Sequence, residues 1–387
     1  MSRPTLEVAD LIRAQGNRFL DRYRASFSFQ QLKVFRAIQN CRTAALGGHL
    51  DACPGCGHQA ISYNSCRNRH CPKCQTQARQ RWLAAREQEV LPTAYFHVVF
   101  SVPHELNVLA LENPRCFYDL LFAAASATLL EVAANPKRMG AEIGIIAILH
   151  TWGQNLLLHP HIHCVVPAGG LAPGHSHWVS ARSDFFLPIP VLRKVFRGKF
   201  VAGLKRLRQS GQLCRSGPAA LFADPKQFTK LLRRLHLRRW VVYAKAPFGG
   251  PLQVLRYLGR YTHRVAISNH RLIAFDGERV SFQWKDYAHG SIQKVMTLAA
   301  TEFLRRFFLH VLAKGFVRIR SFGFLANRFR TQSLALCRQL LAASPSVLTD
   351  REQVANWHCP RCGSRMDVRQ SFTAAELLRL CPALDSS

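Results

Sequence analysis

Two short stretches of this chain carry side chains that could do chemistry together. In the first, residues 159–167 (HPHIHCVVP), apolar residues alternate with histidines, a pattern that is typical of a β-strand. Successive side chains of a strand point to opposite faces, so we expect His161 and His163 on the same face. Two neighbouring imidazoles can bind a divalent metal ion. The stretch therefore predicts a metal site on a strand.

The second stretch, residues 257–263 (YLGRYTH), places Tyr257 and Tyr261 four residues apart in a segment that the sequence predicts to be helical. Both hydroxyls would then lie on one face, one turn apart. A tyrosine hydroxyl has a pKa near 10 and is a poor nucleophile at neutral pH. A metal ion that polarises a scissile phosphate would let it attack, which would join the tyrosine to DNA.

Each pattern also has an ordinary structural explanation. A His-x-His pair on a strand is often a partly buried pair without a ligand, and tyrosines at helical spacing often only pack. The functional interpretation therefore depends on the rest of the chain.

The composition favours a polyanionic partner. The chain has 387 residues, with 53 lysines and arginines against 22 acidic residues, and a net charge of +31. Such a surplus repels itself unless a polyanion such as nucleic acid neutralises it. The hydrophobic share of 48% indicates a folded protein and excludes a disordered basic tail. No apolar run approaches the roughly 18 residues needed to cross a bilayer and the start lacks a signal core, so we expect a cytoplasmic, nucleoid-associated protein with no membrane partner.

Thirteen cysteines, several of them in Cys-x-x-Cys pairs, suit metal binding in a reducing compartment better than disulfides. Two such pairs, each with an internal proline, lie close together in the sequence and could hold one zinc ion tetrahedrally. The predicted zinc ligands are Cys53, Cys56, Cys71 and Cys74, with Cys66 or His70 as the substitute.

Two further features have open alternatives. Arg67, Arg69 and Lys73 lie within the zinc segment and suggest phosphate contacts, although they could equally form a solvated face. Cys359 and Cys362 form half a zinc site whose partner pair is missing from the nearby sequence, so a loop turn is the default interpretation and a metal site the alternative.

The elements that must position these residues predict an α+β fold with an antiparallel central sheet, the histidine strand at its centre and the tyrosine helix packed across it. The predicted strands span 94–102, 143–152, 240–244, 265–268, 271–275, 280–284 and 315–324, and the predicted helices 6–13, 29–46, 75–90, 117–134, 191–208, 225–235, 302–312 and 331–343, with a further helix from Pro251 that carries the tyrosines. Arg318 and Arg320 alternate with apolar residues, a pattern that suits single-stranded nucleic acid and equally an amphipathic strand. We expect three parts: a helical lead and zinc-binding domain (1–91), a catalytic domain (92–330), and a helical tail with the partial Cys-x-x-Cys knuckle (331–387).

Four motifs, in this order, resemble those of the two-tyrosine HUH transposases of the insertion sequence 91 family. They are residues 41–49 (CRTAALGGH) leading into 63–74 (YNSCRNRHCPKC), 100–103 (FSVP), 161–163 (HIH) and 257–264 (YLGRYTHR). The resemblance covers nearly the whole chain and implies an HUH endonuclease-like sheet flanked by helices, with a zinc-ribbon-like module before it.

The resemblance also implies a mechanism. His161 and His163 would hold Mg or Mn against the scissile phosphate of single-stranded DNA at the element ends, and one tyrosine would attack to leave a 5′-phosphotyrosine and a free 3′-hydroxyl. The second tyrosine would serve the second cleavage or strand exchange, without a nucleotide cofactor. By analogy with related replication initiators the third ligand would be Gln154, with His150 and His263 as weaker candidates. Arg260 and Arg264, inside the tyrosine motif, are expected to contact DNA.

Three rival functions remain open from the sequence. A histidine-triad nucleotide hydrolase would use the histidines of residues 159–163 but needs no zinc module, paired tyrosines or large positive charge. A transposase that uses three carboxylates would need acidic ligands, and only Asp184 and Asp286 are candidates. A non-catalytic, zinc-bearing DNA-binding protein would bind DNA and leave it intact.

Overall fold

The computed structural model describes residues 4–87, 89–182, 186–214, 217–245, 259, 266–287, 289–342 and 357–380. The chain forms two compact units, and each is discontinuous in sequence. The first contains Met1–Ala78, Ile267–Val311 and Val347–Ser387, and the second contains Arg79–Ala266 and Leu312–Ser346. This division differs from the linear three-part division that the sequence predicts, because residues 267–311 and the C-terminal tail pack with the N-terminal residues.

The helices of the described part are α1 (Val8–Tyr23), α2 (Phe29–Gln39), α3 (Gln75–Glu87), α4 (Asn107–Glu112), α5 (Pro114–Ala134), α6 (Ile189–Gln209), α7 (Pro225–Leu237), α8 (Ala300–Phe308), α9 (Arg330–Leu340) and α10 (Ala374–Leu380). The strands are β1 (Gly48–Ala52), β2 (Gln59–Tyr63), β3 (Tyr95–Ser101), β4 (Gly144–Trp152), β5 (Leu158–Pro167), β6 (Gly169–Leu171), β7 (Trp178–Ser180), β8 (Val241–Lys245), β9 (Leu272–Phe275), β10 (Arg279–Asp286), β11 (Ile292–Ala299), β12 (Ile319–Gly323) and β13 (Asp367–Phe372).

A five-stranded antiparallel sheet forms the centre of the second unit. Its strand order is β12-β4-β5-β3-β8, so the histidine strand β5 is the middle strand. The α+β class, the antiparallel sheet and the central position of the histidine strand are therefore confirmed.

One face of this sheet is buried against helices. Ile162, Cys164 and Val166 of β5 are fully buried in the main apolar core, which also takes in the inner faces of α5 and α6. Phe117 of α5 and Phe200 of α6 meet within it, with ring centroids 5.5 Å apart. Each such side chain contributes about 1.5–3 kcal/mol by leaving water. This burial fixes the register of β5, because a slip by one residue would send the apolar side chains to the opposite face.

Helix α5 is long and apolar enough to cross a membrane by length and composition, and 61% of its most apolar window is buried inside the protein. Proline at its first turn suits the helix start, where the missing N–H costs nothing. Its buried residues belong to the main core, as in the core helix of a globular domain.

In the first unit, α1, α2 and α8 meet through an aromatic cluster. The ring of Phe308 lies 5.9 Å from that of Phe19 and 5.6 Å from that of Phe35, centroid to centroid, and all three side chains are buried. Two three-stranded sheets, β11-β10-β9 and β13-β1-β2, complete the unit.

The predicted meander is present in the first unit, but with a different third strand. Strands β9 and β10 flank the turn at Asp276 and Gly277, as expected, and the other edge of β10 is paired by β11. Residues 266–268 are not a strand: Ala266 and Ile267 are buried as irregular chain. Their apolar character reflects burial in the core, which a short apolar run cannot distinguish from a strand.

Candidate functional site

Three histidines converge on the face of the central sheet that is opposite to the main core. His150 of β4 pairs directly with His161 of β5, and His163 lies two residues further along β5 on the same face. One ring nitrogen of each lies within 4.8 Å of the others. The ring centroids of His150 and His163 are 4.4 Å apart, and those of His161 and His163 are 4.8 Å apart.

Hydrogen bonds orient two of these rings. Nδ1 of His161 lies 2.6 Å from the carbonyl oxygen of His159, so Nδ1–H donates and the lone pair of Nε2 is left for a ligand. Nδ1 of His163 lies 2.7 Å from Nε2 of His97 on β3. Such outer hydrogen bonds set the tautomer and the direction of a metal-binding imidazole.

Burial keeps the imidazoles of His161, His163 and His97 neutral. It lowers the pKa of His161 to about 3, and it holds the pKa of His163 well below its usual value. Burial, together with the charge of Lys245, also lowers the pKa of His97 to about 4. Neutral imidazole is the form that binds metal, so His161 and His163, with His150 beside them, fit a divalent ion with open positions for substrate oxygens.

The third residue beside His161 and His163 is His150, whereas the resemblance implied Gln154 as the third metal ligand. Gln154 lies in the turn between β4 and β5, whereas His150, the weaker candidate, lies directly across from His161. The strand pairing explains the difference, because only residues in register on β4 face the histidine pair.

The predicted nucleophiles Tyr257 and Tyr261, and the predicted DNA contacts Arg260 and Arg264, lie outside the described residues. So does His263.

Gly259 is described, and it is buried beside Leu83 of α3: an added Cβ would lie 2.7 Å from Cδ1 of Leu83. Leu83 and Trp82 in turn pack against Ile148 and Val165 of the sheet. Ile148 is the cross-strand partner of His163, and Val165 lies two residues beyond His163. Gly259 is thus held, through α3, on the histidine face of the sheet.

A first group of four cysteines lies in the N-terminal part. Its members are Cys41, Cys66, Cys71 and Cys74. The sulfur of Cys74 is 3.5 Å from that of Cys41 and 3.6 Å from that of Cys66, and the sulfurs of Cys71 and Cys41 are 3.7 Å apart. Four thiolates bound tetrahedrally to zinc at 2.3 Å would be about 3.8 Å apart. Thiol hydrogen bonds hold the pKa of Cys74 well below its usual value, whereas the same crowding raises that of Cys71.

The cysteine set predicted from the sequence is not brought together. Cys71 and Cys74 belong to the first group, whereas Cys53 and Cys56 lie with Cys359 and Cys362 in a second group. The prediction paired the two knuckles that are nearest in sequence, but the fold supplies other partners for each. Cys66, the expected substitute, belongs to the first group, and His70 is buried beside it without belonging to either group.

The basic residues predicted to bind DNA have different environments. Arg67 and Arg69 are exposed. Lys73 forms a partly buried ion pair with Glu7, in which its Nζ lies 2.5 Å from Oε2. Arg318 is buried.

Arg320 has internal partners as well. Its guanidinium donates to Asp119 at 2.5 Å and lies 4.3 Å from the ring centroid of Phe122. Arg320 therefore contributes to the packing of the second unit, whereas Arg67 and Arg69 are exposed.

The sequence contained signals for two of the residues that were missed. The pentapeptide Cys-Pro-x-Cys-Gly occurs at residues 53–57 and again at 359–363, but not at 71–75, which ends in glutamine. Matching these two Cys-Pro-x-Cys-Gly pentapeptides would have paired the second cysteine group. Cys41 is not part of a Cys-x-x-Cys pair and His97 carries no local signal, because loop packing and strand pairing bring them to their partners.

Two family models and several known proteins match this chain. Residues 144–333 match the family model described as "Putative transposase", and residues 11–102 match the model described as "Transposase zinc-binding domain". The chain is 51% identical to "Putative transposase y4qJ" of Sinorhizobium fredii, over 99% of this chain and 94% of the relative. It is 28% identical to the transposase for insertion sequence element IS801 of Pseudomonas savastanoi pv. phaseolicola, over 84% of this chain and 80% of the relative. A solved structure of the conjugative relaxase TrwC in complex with oriT DNA has a TM-score of 0.25 and 13% identity, covering 52% of this chain and 82% of that chain.

The matches define a transposase with an N-terminal zinc-binding domain. The chain belongs to the insertion sequence 91 family of transposases.

Proposed function

We propose that this transposase cuts and joins single-stranded DNA at the ends of its element, with Tyr257 and Tyr261 as nucleophiles. His150, His161 and His163 are the ligands of its catalytic divalent metal. The observation that carries the proposal is the convergence of these three imidazoles on the face of the central sheet that is opposite to the main core.

The burial of Gly259 supports the assignment of the tyrosines. It lies midway between them in sequence and packs against Leu83 on the histidine face of the sheet. Gly259 thus lies on the histidine side of the second unit, which supports the tyrosines that flank it in sequence as the nucleophiles.

Mg or Mn bound by the histidines would polarise the scissile phosphate and stabilise the charge that develops on it. The phenol oxygen of one tyrosine forms a bond to phosphorus, the bond from phosphorus to the 3′-oxygen breaks, and that oxygen takes up a proton as the phenol loses one. The products are a 5′-phosphotyrosine and a free 3′-hydroxyl that can prime rolling-circle replication. One phosphoester replaces another, so no nucleotide hydrolysis is needed, and the second tyrosine can serve the second cleavage or strand exchange.

The charge of the chain fits this substrate. A net charge of +31 favours a polyanion, and the exposed Arg67 and Arg69 next to the first cysteine group can contact backbone phosphates. A protein held on DNA in this way is expected in the nucleoid.

The test is a covalent-adduct assay. The protein is incubated with Mg or Mn and a labelled single-stranded oligonucleotide that carries the element end, and adducts that survive SDS are counted. The wild type is expected to form the adduct. Tyr257→Phe and Tyr261→Phe each reduce its yield or move the attachment to the remaining tyrosine, and the double substitution abolishes it. Tyr287→Phe, at an exposed position in the first unit, is the matched control.

The metal assignment is tested in the same assay. His161→Ala and His163→Ala are expected to abolish the adduct, whereas His177→Ala, at an exposed histidine, retains it.

An adduct that survives the double tyrosine substitution would refute the assignment of Tyr257 and Tyr261 as the nucleophiles. Full binding of the oligonucleotide without any adduct in the wild type would favour the non-catalytic DNA-binding alternative.

A further inference from the structure

The C-terminal tail places two cysteines against two from the N-terminal module. The sulfur of Cys53 lies 3.4 Å from that of Cys362, and the sulfur of Cys56 lies 3.6 Å from that of Cys359, across about three hundred residues of sequence. All four sulfurs are within 4.8 Å of one another. A disulfide would need about 2.05 Å, whereas four thiolates around one zinc would be about 3.8 Å apart. The spacing is that of a metal site.

Each of the two cysteine pairs lies in a turn, and the two turns have the same hydrogen-bond pattern. The N–H of Cys53 donates to the carbonyl of His58 at 2.8 Å, and the N–H of Gly57 donates to the carbonyl of Cys53 at 2.9 Å. This pattern repeats in the tail with Cys359, Ser364 and Gly363, at 2.7 and 2.9 Å.

Both turns end on a glycine with positive φ, +70° at Gly57 and +76° at Gly363, a conformation that other residues adopt only with strain. Two equal turns that face each other, each supplying two thiols, form the arrangement of a closed structural zinc site.

The tail is held to the module by strand pairing as well. Strand β13 pairs antiparallel with β1 and makes the hairpin β1-β2 into a three-stranded sheet. Helix α10 follows directly, with a capping box in which Thr373 N–H donates to Glu376 at 2.7 Å. Leu377 of this helix is buried. The tail is thus an integral part of the fold of the first unit.

We propose that Cys53, Cys56, Cys359 and Cys362 bind a second structural zinc ion, distinct from the one assigned to the first cysteine group. The four thiols release their protons to solvent as they bind. The N-terminal zinc module is then completed only by the C-terminal tail, so the first unit depends on both ends of the chain. Proline in each turn and the small apolar cluster of Cys53, Cys359 and Met366 preorganise the site.

Zinc stoichiometry tests this assignment on the full chain. The wild type should contain two zinc ions per chain by elemental analysis. The pair substitutions C53S/C56S and C359S/C362S should each leave one, and the four cysteines substituted together should also leave one, because all four serve the same ion. C214S, at an exposed cysteine outside both groups, should retain two.

The outcomes discriminate between the possible groupings. If Cys53 and Cys56 instead shared an ion with Cys71 and Cys74, then C359S/C362S would leave the zinc content unchanged, and the proposal would be wrong. A wild-type protein with one zinc ion per chain would also contradict the proposal.

A second measurement uses the wild-type protein, so it does not require that any cysteine variant folds. Cys56, Cys362 and Cys214 are all exposed to solvent. Brief alkylation of the zinc-loaded protein, followed by mass spectrometry, should modify Cys214 and spare Cys56 and Cys362. After treatment with a chelator, both should become reactive together. Alkylation of Cys362 in the zinc-loaded protein to the same extent as Cys214 would overturn the proposal.

Discussion

Nε2 of His97 lies 2.7 Å from Nδ1 of His163, and the two rings are parallel to within 3°. They belong to neighbouring strands: His97 pairs with Val165, two residues beyond His163, so the contact is a diagonal one across β3 and β5. Both side chains are buried. The hydrogen bond therefore fixes the ring of a proposed metal ligand from the side that is remote from the ion.

We predict that His97→Phe weakens binding of the catalytic metal while leaving the fold intact. The substitution keeps a ring in the same space but removes the hydrogen bond, and the loss of such a partner typically costs about 10- to 100-fold in metal affinity. The measurement is the manganese concentration that gives half-maximal adduct formation. His97→Gln, whose amide can replace the bond, should recover most of the affinity. An unchanged manganese dependence in His97→Phe would rule out this positioning role.

We predict that Gly259→Val disturbs the attachment of the tyrosine segment. The added side chain would collide with Leu83, and overpacking of this kind typically costs about 1–3 kcal/mol. The free energy of unfolding, measured with denaturant, and the adduct yield should both fall. Leu83→Ala opens the space, so the double variant should regain part of both losses, which a double-mutant cycle measures. Additive effects of the two substitutions would show that the two residues are not coupled.

We predict that Cys41→Ser removes one zinc ion. The cysteine set predicted from the sequence does not include Cys41, whereas the structure places its sulfur 3.5 Å from that of Cys74. Serine is a poor zinc ligand, so the first group would retain three thiolates and lose its ion to a competing chelator. Elemental analysis after dialysis against a weak chelator, at a concentration that leaves both ions in the wild type, should give one ion per chain, with Cys116→Ser as the control at two. Two ions in Cys41→Ser would contradict the grouping.

We predict a pH-dependent contribution of Glu302 to stability. Hydrogen bonds from Arg305 and Arg306 lower the pKa of Glu302 to about 2. The folded state thus favours the ionised carboxylate, and the resulting stabilisation is present above the unfolded-state pKa of about 4.3 and lost as the pH falls towards 2. Because the group is partly exposed, we expect no more than about 2 kcal/mol.

The unfolding free energies of the wild type and Glu302→Gln should therefore differ at pH 7 and converge between about pH 5 and pH 2. Glu87→Gln, at an exposed position, is the control. A difference that stays constant over this range would mean that the ion pairs do not cause it.

The central sheet illustrates how far the sequence alone determines the fold. The alternation in residues 159–167 predicts both the strand and the common face of His161 and His163, because side chains alternate along any extended chain. The apolar partners Ile162 and Cys164 then identify which face is buried. The turn at Asp276 and Gly277 was equally local and was predicted correctly, whereas β11 was missed because six of its eight residues are exposed and its apolar residues do not alternate with polar ones.

The sequence by itself determined the chemical groups of this protein: imidazoles on a strand, phenols four residues apart, and cysteine knuckles in a strongly basic chain. Only the tertiary structure decided which of these groups meet. His150 joins the histidine pair through the register of β4 with β5, and Cys359 and Cys362 reach Cys53 and Cys56 through the pairing of β13 with β1. Such contacts join residues that are distant in sequence. The free energy that selects them comes from the burial and strand pairing of whole elements, which no local pattern records.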